Sequence, residues 1–213
     1  MRDIEQSMFP DLRSDKAVDA IPGSVVAGTN ADLIWHIRRI YLNGKILDVT
    51  YGKGSWWKTY QPGHFTSHDI NLDGVDFTNL PYPDRSYDTV CYDPPYIPGG
   101  GDTTTTAGSF QTRYGINGGR SQGNLEQLVM SGLEETARVA DGYLLVKCMD
   151  YVNGGAFTPM SYRIWQHAQQ IGLYLHDEII HHSGSGPGGH NIVTPKRARR
   201  HHSKLLVFTW DIR

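Results

Sequence analysis

The sequence contains few cysteines and no long apolar run. Cys91 and Cys148 are the only two cysteines among 213 residues, and each lies in a short apolar stretch typical of a strand. A small buried hydrophobic residue is a commoner role for such a cysteine than a disulfide partner or a catalytic thiol. A membrane-spanning helix needs about 20 apolar residues, and the chain has neither such a run nor a signal-peptide pattern. We therefore expect a protein of a reducing cytoplasm with no membrane partner.

The chain also lacks a strong net charge, but its cations are unevenly placed. Twenty Lys and Arg residues stand against 22 Asp and Glu residues, for a formal charge of −2. The overall charge therefore does not indicate a polyanion-binding protein. The segment TPKRARRHHSK, residues 194–204, nevertheless holds five cations and two histidines without an acid. Because an apolar strand pattern follows it directly, we expect this segment to be held against the fold, where it suits phosphate groups.

The histidines and cysteines do not have the spacing of a structural zinc site. We therefore predict no metal, and we interpret the histidines around a glycine-rich stretch near the C-terminus as solvated or phosphate-facing. These histidines are His181, His182, His190, His201 and His202. Lys147 follows an apolar strand pattern, and it is interpreted either as a cap of that strand or as a residue at the rim of a site.

Strand-like and helix-like patterns alternate along the chain. Apolar residues recur at helical spacing in residues 29–42, where Thr29 or Asn30 is a suitable N-cap, and again near 125–139 and 162–171. The strand patterns are KILDV, HFTSHDI, YDTVCYD, GYLLVKCMD, YLHDEIIHH and KLLVFTWDI. This alternation predicts an α/β fold with a mostly parallel sheet. We interpret residues 1–213 as a single domain, with the first two dozen residues irregular.

Acidic residues follow three successive parts of the predicted sheet. Asp48 ends the first strand pattern and precedes Gly52 and Gly54, which allow a sharp turn close to a ligand. Asp69 ends the second pattern, where an acid can accept hydrogen bonds from ribose hydroxyls, and Asp76 can accept from an adenine amino group. Each acid alone is more typical of a turn or a cap. Together they favour a nucleoside cofactor bound at the carboxyl ends of the strands.

The stretch YDPPY ends the third strand pattern in a rigid turn. Proline has no N–H for the ladder, so Pro94 and Pro95 stop the strand at Asp93. An exocyclic amine on an aromatic ring is a weak nucleophile because its lone pair is delocalised. Two acceptors, the Asp93 carboxylate and the Pro94 carbonyl, would favour a pyramidal nitrogen that can attack an electrophile. Tyr96 would stack on the base.

These motifs together resemble a known enzyme family. Asp93-Pro94-Pro95-Tyr96, the loop LDVTYGKG and the run LPYPDRSYDTV are similar to those of S-adenosylmethionine-dependent DNA amino-methyltransferases of the N6-adenine/N4-cytosine type. The segments RRHHSKLLVF and GYLLVKCMD are similar to those of phage and actinobacterial members. The resemblance covers about residues 29–208. It implies a Rossmann-like class I methyltransferase fold, with a mostly parallel seven-stranded sheet and an antiparallel C-terminal strand.

The resemblance also implies roles for individual residues. Asp48, Gly52 and Gly54 match the loop near the methionine moiety of the cofactor, Asp69 the ribose-binding acid and Asp76 the adenine-side acid. Thr29 and Asn30 match residues near the cofactor carboxylate, and Asp93 lies beside both the cofactor and the target amine. The loop usually begins D-P-F in the family, and Val49-Thr50-Tyr51 replaces those residues here.

The implied reaction is methyl transfer to N6 of adenine in double-stranded DNA of a bacterial or phage-infected cell. Residues 98–123 and 182–204 have no apolar period, and we predict them to be target-binding loops. Their candidate nucleic-acid-binding residues are Arg113, Tyr114, Lys196, Arg197, Arg199 and Arg200.

Other functions stay open from the sequence. Adenine is preferred over cytosine because the cytosine-N4 members more often carry Ser in place of Asp93. An RNA methyltransferase, an enzyme that methylates a glutamine amide and a catalytically silent nucleic-acid-binding subunit remain alternatives. The recognition site, the biological role and the oligomeric state, with a homodimer as one option, stay open as well.

Overall fold

In a computed structural model, residues 22–95, 122–153, 155–183, 197–198 and 200–211 are described. Within these ranges the chain forms nine strands and three helices. The strands are β1 (Val25–Ala27), β2 (Ile46–Asp48), β3 (Phe65–Ser67), β4 (Tyr87–Tyr92), β5 (Ala140–Cys148), β6 (Tyr151–Asn153), β7 (Ala156–Thr158), β8 (Tyr174–His182) and β9 (Ser203–Thr209). The helices are α1 (Asn30–Tyr41), α2 (Gln122–Val139) and α3 (Met160–Gln170).

Seven of the described strands form one sheet in the order β1, β8, β9, β5, β4, β2, β3. Neighbouring strands are parallel except at β9, which runs antiparallel to both β5 and β8. The other two described strands, β6 and β7, form an antiparallel hairpin. The predicted Rossmann-like α/β architecture, with a mostly parallel seven-stranded sheet and an antiparallel C-terminal strand, is confirmed.

The structure adds elements that the sequence patterns did not predict. Val25–Ala27, to which the sequence reading assigned no strand, pair in parallel with β8 as an edge strand. The β6–β7 hairpin was also missed, because three-residue strands are too short to show alternation. Helix α2 begins at Gln122, three residues before the predicted start, so the end of the predicted loop 98–123 belongs to it. His182 and Ser203–Lys204, at the ends of the predicted loop 182–204, lie in β8 and β9.

Helix α1 begins with a capping box that its sequence encodes. Thr29 is the N-cap: its Oγ1 accepts from the Asp32 N–H at 3.3 Å, and Asp32 Oδ2 accepts from the Thr29 N–H at 2.8 Å. This exchange satisfies two backbone donors that the first turn of a helix leaves free. Leu33, Ile34 and Ile37 are buried as the helical spacing predicts, so α1 packs this stripe against the sheet.

The sheet separates two hydrophobic clusters because successive residues of a strand point to opposite faces. One cluster lies under α1 and includes Cys91 of β4, Leu145 of β5 and Leu205 of β9. The other lies under α2 and α3 and includes Leu133 and Ile164. Both cysteines are buried and free, which agrees with their prediction as small hydrophobic residues. Within the ranges that the structure describes, no helix has the length and apolar character needed to cross a bilayer.

Several strand ends and the start of α1 lie at one edge of the sheet. The parallel strands β2, β4, β5 and β8 all end at this edge, which we call the carboxyl edge. Strand β9 is antiparallel, so it begins there, and α1 starts there directly after β1. Ligands of open α/β sheets bind at such an edge.

Candidate active site at the carboxyl edge

Asp48 ends β2 and is held inside the protein. It is 3% exposed. Its Oδ2 accepts a hydrogen bond from Trp57 Nε1 at 2.6 Å, and its Oδ1 accepts from the Thr50 N–H at 2.9 Å. Burial raises the pKa of Asp48 to about 7, against the lowering effect of these two hydrogen bonds. The carboxylate therefore stabilises the following turn from beneath.

The glycine turn predicted after β2 is present. Gly52 and Gly54 have φ angles of 55° and 65°, in the left-handed region that favours glycine. A Cβ at Gly54 would lie 2.6 Å from Tyr51 Oη, whereas a Cβ at Gly52 would find nothing nearer than 3.8 Å. Gly54 is therefore required for packing of the turn, whereas a Cβ at Gly52 would make only ordinary van der Waals contacts.

Asp69 joins the glycine turn to the segment after β3. Its Oδ2 accepts from the Gly52 N–H at 3.1 Å, and its Oδ1 accepts from the N–H and Nδ2 of Asn71. A carboxylate has about four lone-pair sites, so the described residues leave one acceptor position of Asp69 unused. Asp76, in contrast, is exposed, and its Oδ1 accepts from the N–H and Oγ1 of Thr78, both at 2.8 Å. In the structure Asp76 stabilises a turn.

The start of α1 reaches the glycine turn. Asn30 Nδ2 donates to Ser55 Oγ at 3.3 Å, and Thr59 Oγ1 donates to the Ala31 carbonyl at 3.0 Å. Thr29 itself is exposed and is engaged with Asp32 in the capping box. These contacts bring the helix N-terminus and the turn together at the carboxyl edge.

Asp93 lies immediately beyond β4, where two prolines follow it. Its N–H donates to Thr50 Oγ1 at 2.7 Å, and its Oδ2 accepts from Trp56 Nε1 at 3.1 Å. Its Oδ1 is buried and has no hydrogen-bond partner among the described residues. Pro94 is buried and Pro95 is half-buried. One oxygen of the Asp93 carboxylate is therefore fixed by the protein and the other is left for a ligand.

The surroundings of Asp93 include Trp56, which the sequence reading did not assign to the site. They also include Lys147, which it interpreted either as a strand cap or as a residue at the rim of a site. Trp56 is buried. It follows the glycine turn, and nothing in the neighbouring sequence indicates that its hydrogen-bond partner is Asp93. Lys147 lies in β5 at 6% exposure, so it is a buried charge and not an exposed cap of the strand. Burial raises the pKa of Asp93, while the Lys147 charge and the Trp56 hydrogen bond act to lower it.

His181 is buried, which corrects its interpretation as a solvated or phosphate-facing histidine. It is 2% exposed in β8; its Nε2 donates to the Gly28 carbonyl at 2.9 Å, and its Nδ1 lies 3.3 Å from Ser203 Oγ. Burial lowers the pKa of His181, and the nearby Lys147 charge lowers it further. A neutral His181 thus connects β8 to the start of α1. His182 and His201 are exposed, as expected.

Two of the predicted nucleic-acid-binding arginines contact the β6–β7 hairpin. Arg197 is exposed, and its Nε donates to the Gly155 carbonyl at 2.9 Å. The Arg200 guanidinium lies 4.6 Å from the ring centroid of Phe157, which is 37% exposed. Because the hairpin follows β5 and Arg200 precedes β9, both lie at the carboxyl edge. The predicted residues Tyr96, Arg113, Tyr114, Lys196 and Arg199 lie outside the described residues.

A metal centre is not formed by the residues that the structure describes. No group of three or more His, Cys, Asp or Glu side chains in those ranges could hold an ion.

Comparison of the sequence with protein families and with curated proteins finds no match. Solved structures give likenesses of the fold. A candidate DNA modification methylase of Thermus thermophilus has a TM-score of 0.42 at 14% identity, over 78% of this chain and 54% of its own. The cytosine-N4-specific PvuII DNA methyltransferase has a TM-score of 0.45 at 15% identity, over 64% and 48%. A candidate methyltransferase of Bacillus halodurans C-125 has a TM-score of 0.49 at 13% identity, over 86% and 99%.

The chain spans about half the length of the first two of these proteins. All three likenesses are distant in sequence and partial in superposition. The function of this chain is therefore inferred from its own residues.

Proposed function

We propose that this protein transfers a methyl group from S-adenosylmethionine to the exocyclic N6 amine of adenine in double-stranded DNA. The observation that carries the proposal is the Asp93 carboxylate, which ends β4 before two prolines and has a buried Oδ1 without a partner among the described residues. A buried acceptor without a donor is costly, and such exceptions need an explanation. An amine N–H is a donor of the required kind.

The residues of this edge can activate an amine nitrogen. Asp93 Oδ1 accepts one N–H of the amine and the Pro94 carbonyl accepts the other, so the nitrogen becomes pyramidal and its lone pair points away from the ring. The prolines hold both acceptors rigidly, which lowers the cost of ordering them during the reaction. The cofactor supplies an electrophilic methyl group bound to sulfur. When the nitrogen takes this methyl group and the carbon–sulfur bond breaks, the nitrogen would lose one proton, and the Asp93 carboxylate would be the group to accept it. Tyr96 remains the residue predicted to stack on the target base.

The glycine turn and Asp69 fit a nucleoside cofactor. A Cβ at Gly52 would clash with nothing among the described residues, and Asp69 beside it keeps one acceptor position after its three hydrogen bonds with them. One ribose hydroxyl can donate there. We assign Gly52, Gly54 and Asp69 to the cofactor and Asp48 to support of their turn. Thr29, Asn30 and Asp76 remain predicted cofactor contacts.

The basic segment before β9 supplies the proposed DNA-binding surface. Arg197 and Arg200 flank a hairpin that carries the exposed side chains Val152 and Phe157 at the same edge as Asp93. Guanidinium groups bind phosphates, and exposed apolar or aromatic side chains can support an unstacked base. The two predicted loops, residues 98–123 and 182–204, would extend this surface around the target.

The acceptor pair of Asp93 and Pro94 fits the amine of adenine and also that of cytosine. Adenine is our first choice because cytosine-N4 enzymes of the family that the chain resembles more often carry Ser at the position of Asp93. N4 of cytosine is the second candidate, and an amine in RNA is the third.

The test is expression in a methylation-free bacterial host, followed by sequencing that maps modified bases. We expect N6-methyladenine in one short context, and we expect Asp93→Ala to abolish it because the amine loses its carboxylate acceptor. Asp84→Ala is the matched control: Asp84 is exposed before the start of the same strand and pairs with Arg138, and such a surface pair contributes little. N4-methylcytosine would redirect the target to cytosine. Unmodified DNA and RNA from a folded, cofactor-binding protein would contradict the proposal.

A further inference from the structure

Asp93 and Lys147 face each other across two neighbouring parallel strands. Tyr92 of β4 pairs with Val146 of β5, so the next residues, Asp93 and Lys147, lie at the same level. Parallel strands lie about 4.8 Å apart. The register of the sheet therefore brings a lysine side chain next to the carboxylate to which we assign the amine.

Both side chains also point to the same face of the sheet. Cys91 and Leu145 belong to the cluster under α1, and residues two positions further along a strand share their face. Asp93 and Lys147 therefore extend this face at the carboxyl edge. On β9, Leu205 is paired with Lys147 and belongs to the same cluster. Lys147 is thus a buried cation above an apolar cluster, and a buried cation is retained only where an anion offsets the cost of its burial.

Trp56 determines which oxygen of Asp93 is open. Its indole N–H is a donor only, and it binds Oδ2 at 3.1 Å, which leaves Oδ1 free of partners among the described residues. An ionised carboxylate accepts hydrogen bonds on both oxygens, whereas a protonated one carries a donor on one of them. The proposed hydrogen bond from an amine N–H to Asp93 Oδ1 therefore requires the ionised carboxylate.

The charged and polar groups around Asp93 lie on several neighbouring elements. The Asp93 charge raises the pKa of Asp48 on β2, and the Lys147 charge on β5 lowers the pKa of Asp93. His181 on β8 is neutral by its lowered pKa, Ser203 on β9 is uncharged, and Asp32 of α1 acts on His181. Burial in this environment disfavours the carboxylate. Within this set, Lys147 is the cation that counteracts the effect of burial on the ionisation of Asp93.

We propose that Lys147 and Trp56 are positioning residues that keep Asp93 ionised and present its Oδ1 to the substrate amine. The inference rests on the proposed role of Asp93 in methyl transfer. It adds a charge partner and an orienting donor that no part of the DPPY motif contains.

The first test measures the ionisation of Asp93 directly. Protein labelled with ¹³C at the aspartate carboxyls is titrated by NMR, and the Asp93 signal is identified by its loss in Asp93→Asn. We expect Lys147→Met to raise the Asp93 midpoint by at least about one pH unit, since a neighbouring opposite charge lowers a carboxyl pKa by about 1–3 units. Trp56→Phe should raise the midpoint by a smaller amount. Lys58→Met, which removes an exposed lysine beyond the tryptophans, is the control and should leave it unchanged.

The second test follows methylation against pH. The acidic limb of the rate profile should move to higher pH in Lys147→Met by the same amount as the NMR midpoint, so that activity recovers as the pH rises. A purely structural role for Lys147 would lower the rate equally at every pH.

An unchanged Asp93 midpoint in Lys147→Met would overturn the inference. If that variant does not fold, an unchanged midpoint in Trp56→Phe would overturn the part assigned to Trp56. The titration needs no turnover, so it separates the two proposals: a shifted midpoint in a protein without methylation activity would contradict only the proposed function.

Discussion

Asp48 and Asp93 end neighbouring strands, and each carboxylate is bound by the indole of one of two consecutive tryptophans. Trp57 donates to Asp48 and Trp56 donates to Asp93. The two acids nevertheless differ, because Asp48 has both oxygens occupied within the protein, whereas one oxygen of Asp93 has no partner in the part of the chain that the structure describes. This difference suits Asp48 to a structural role and Asp93 to contact with a ligand.

The raised pKa of Asp48 predicts a specific dependence of stability on pH. A folded-state pKa of about 7 exceeds the ordinary value of 3.8, so the folded protein binds more protons than the unfolded chain between these values. Stability is then present at low pH and is lost as the pH rises through 7. We expect Asp48→Asn to be less stable than the wild type at pH 5. Urea unfolding should show that the difference between their free energies of unfolding is smaller at pH 8 by about 2 kcal/mol.

Trp57→Phe provides the companion measurement for Asp48. The indole hydrogen bond lowers the pKa of Asp48, so its loss in Trp57→Phe should raise that pKa further. The free energy of unfolding should then decrease at a higher pH than in the wild type. A gap between Asp48→Asn and the wild type that is equal at pH 5 and pH 8 would show that Asp48 is already ionised at pH 5.

At the scale of elements, the N-terminus of α1 depends on both local and distant contacts. Its capping box forms from Thr29 and Asp32, three residues apart. The carbonyl of Gly28, just before the cap, accepts from His181 of β8, and the Gly28 N–H donates to the His182 carbonyl. The helix start is therefore attached to the edge pair β1–β8 as well as to the glycine turn.

Removal of the cap should weaken this attachment measurably. Thr29→Ala loses the hydroxyl that accepts from the Asp32 N–H, and we expect a loss of about 0.5–2 kcal/mol in the free energy of unfolding. Thr29→Ser keeps the hydroxyl and should stay close to the wild type in the same denaturation experiment. Equal losses in the two variants would assign the effect to the Thr29 methyl group instead of the cap.

At the scale of the whole molecule, the two edges of the sheet have different characters. At the amino edge, where the parallel strands begin, charged side chains form local ion pairs, such as Arg138 with Asp84 and Glu135. The carboxyl edge carries the open acceptor of Asp93, the buried Lys147 and the arginines around the β6–β7 hairpin. A DNA duplex should therefore bind at the carboxyl edge alone.

Charge reversal at the two edges tests this expectation. Arg197→Glu and Arg200→Glu should weaken DNA binding and make its dependence on salt shallower, by about 0.9 in the log–log slope for each lost phosphate contact. Cofactor binding should be unaffected. Arg39→Glu, at the exposed C-terminal end of α1 on the opposite edge, is the control. DNA affinity that is unchanged in the first two variants, or equally reduced in all three, would contradict this surface.

The sequence by itself determined the local features of this protein. Proline chemistry ends β4 at Asp93, the apolar spacing of residues 30–41 makes an amphipathic helix, and glycines permit the turn after β2. The alternation of patterns also predicted the mostly parallel sheet, because each of these signals acts between residues close in the chain. The identity of Asp93 as a candidate acceptor came from the same local reading.

Only the tertiary structure decided which side chains surround that acceptor. Trp56 and Lys147 lie 37 and 54 positions from Asp93 in the sequence, and His181 binds Gly28 across 153 positions. Strand β1 forms because β8 offers it a parallel partner, although three residues alone carry no periodic signal. The order of strands and their register set these neighbours, and register is a property of the assembled sheet that no short stretch of sequence encodes.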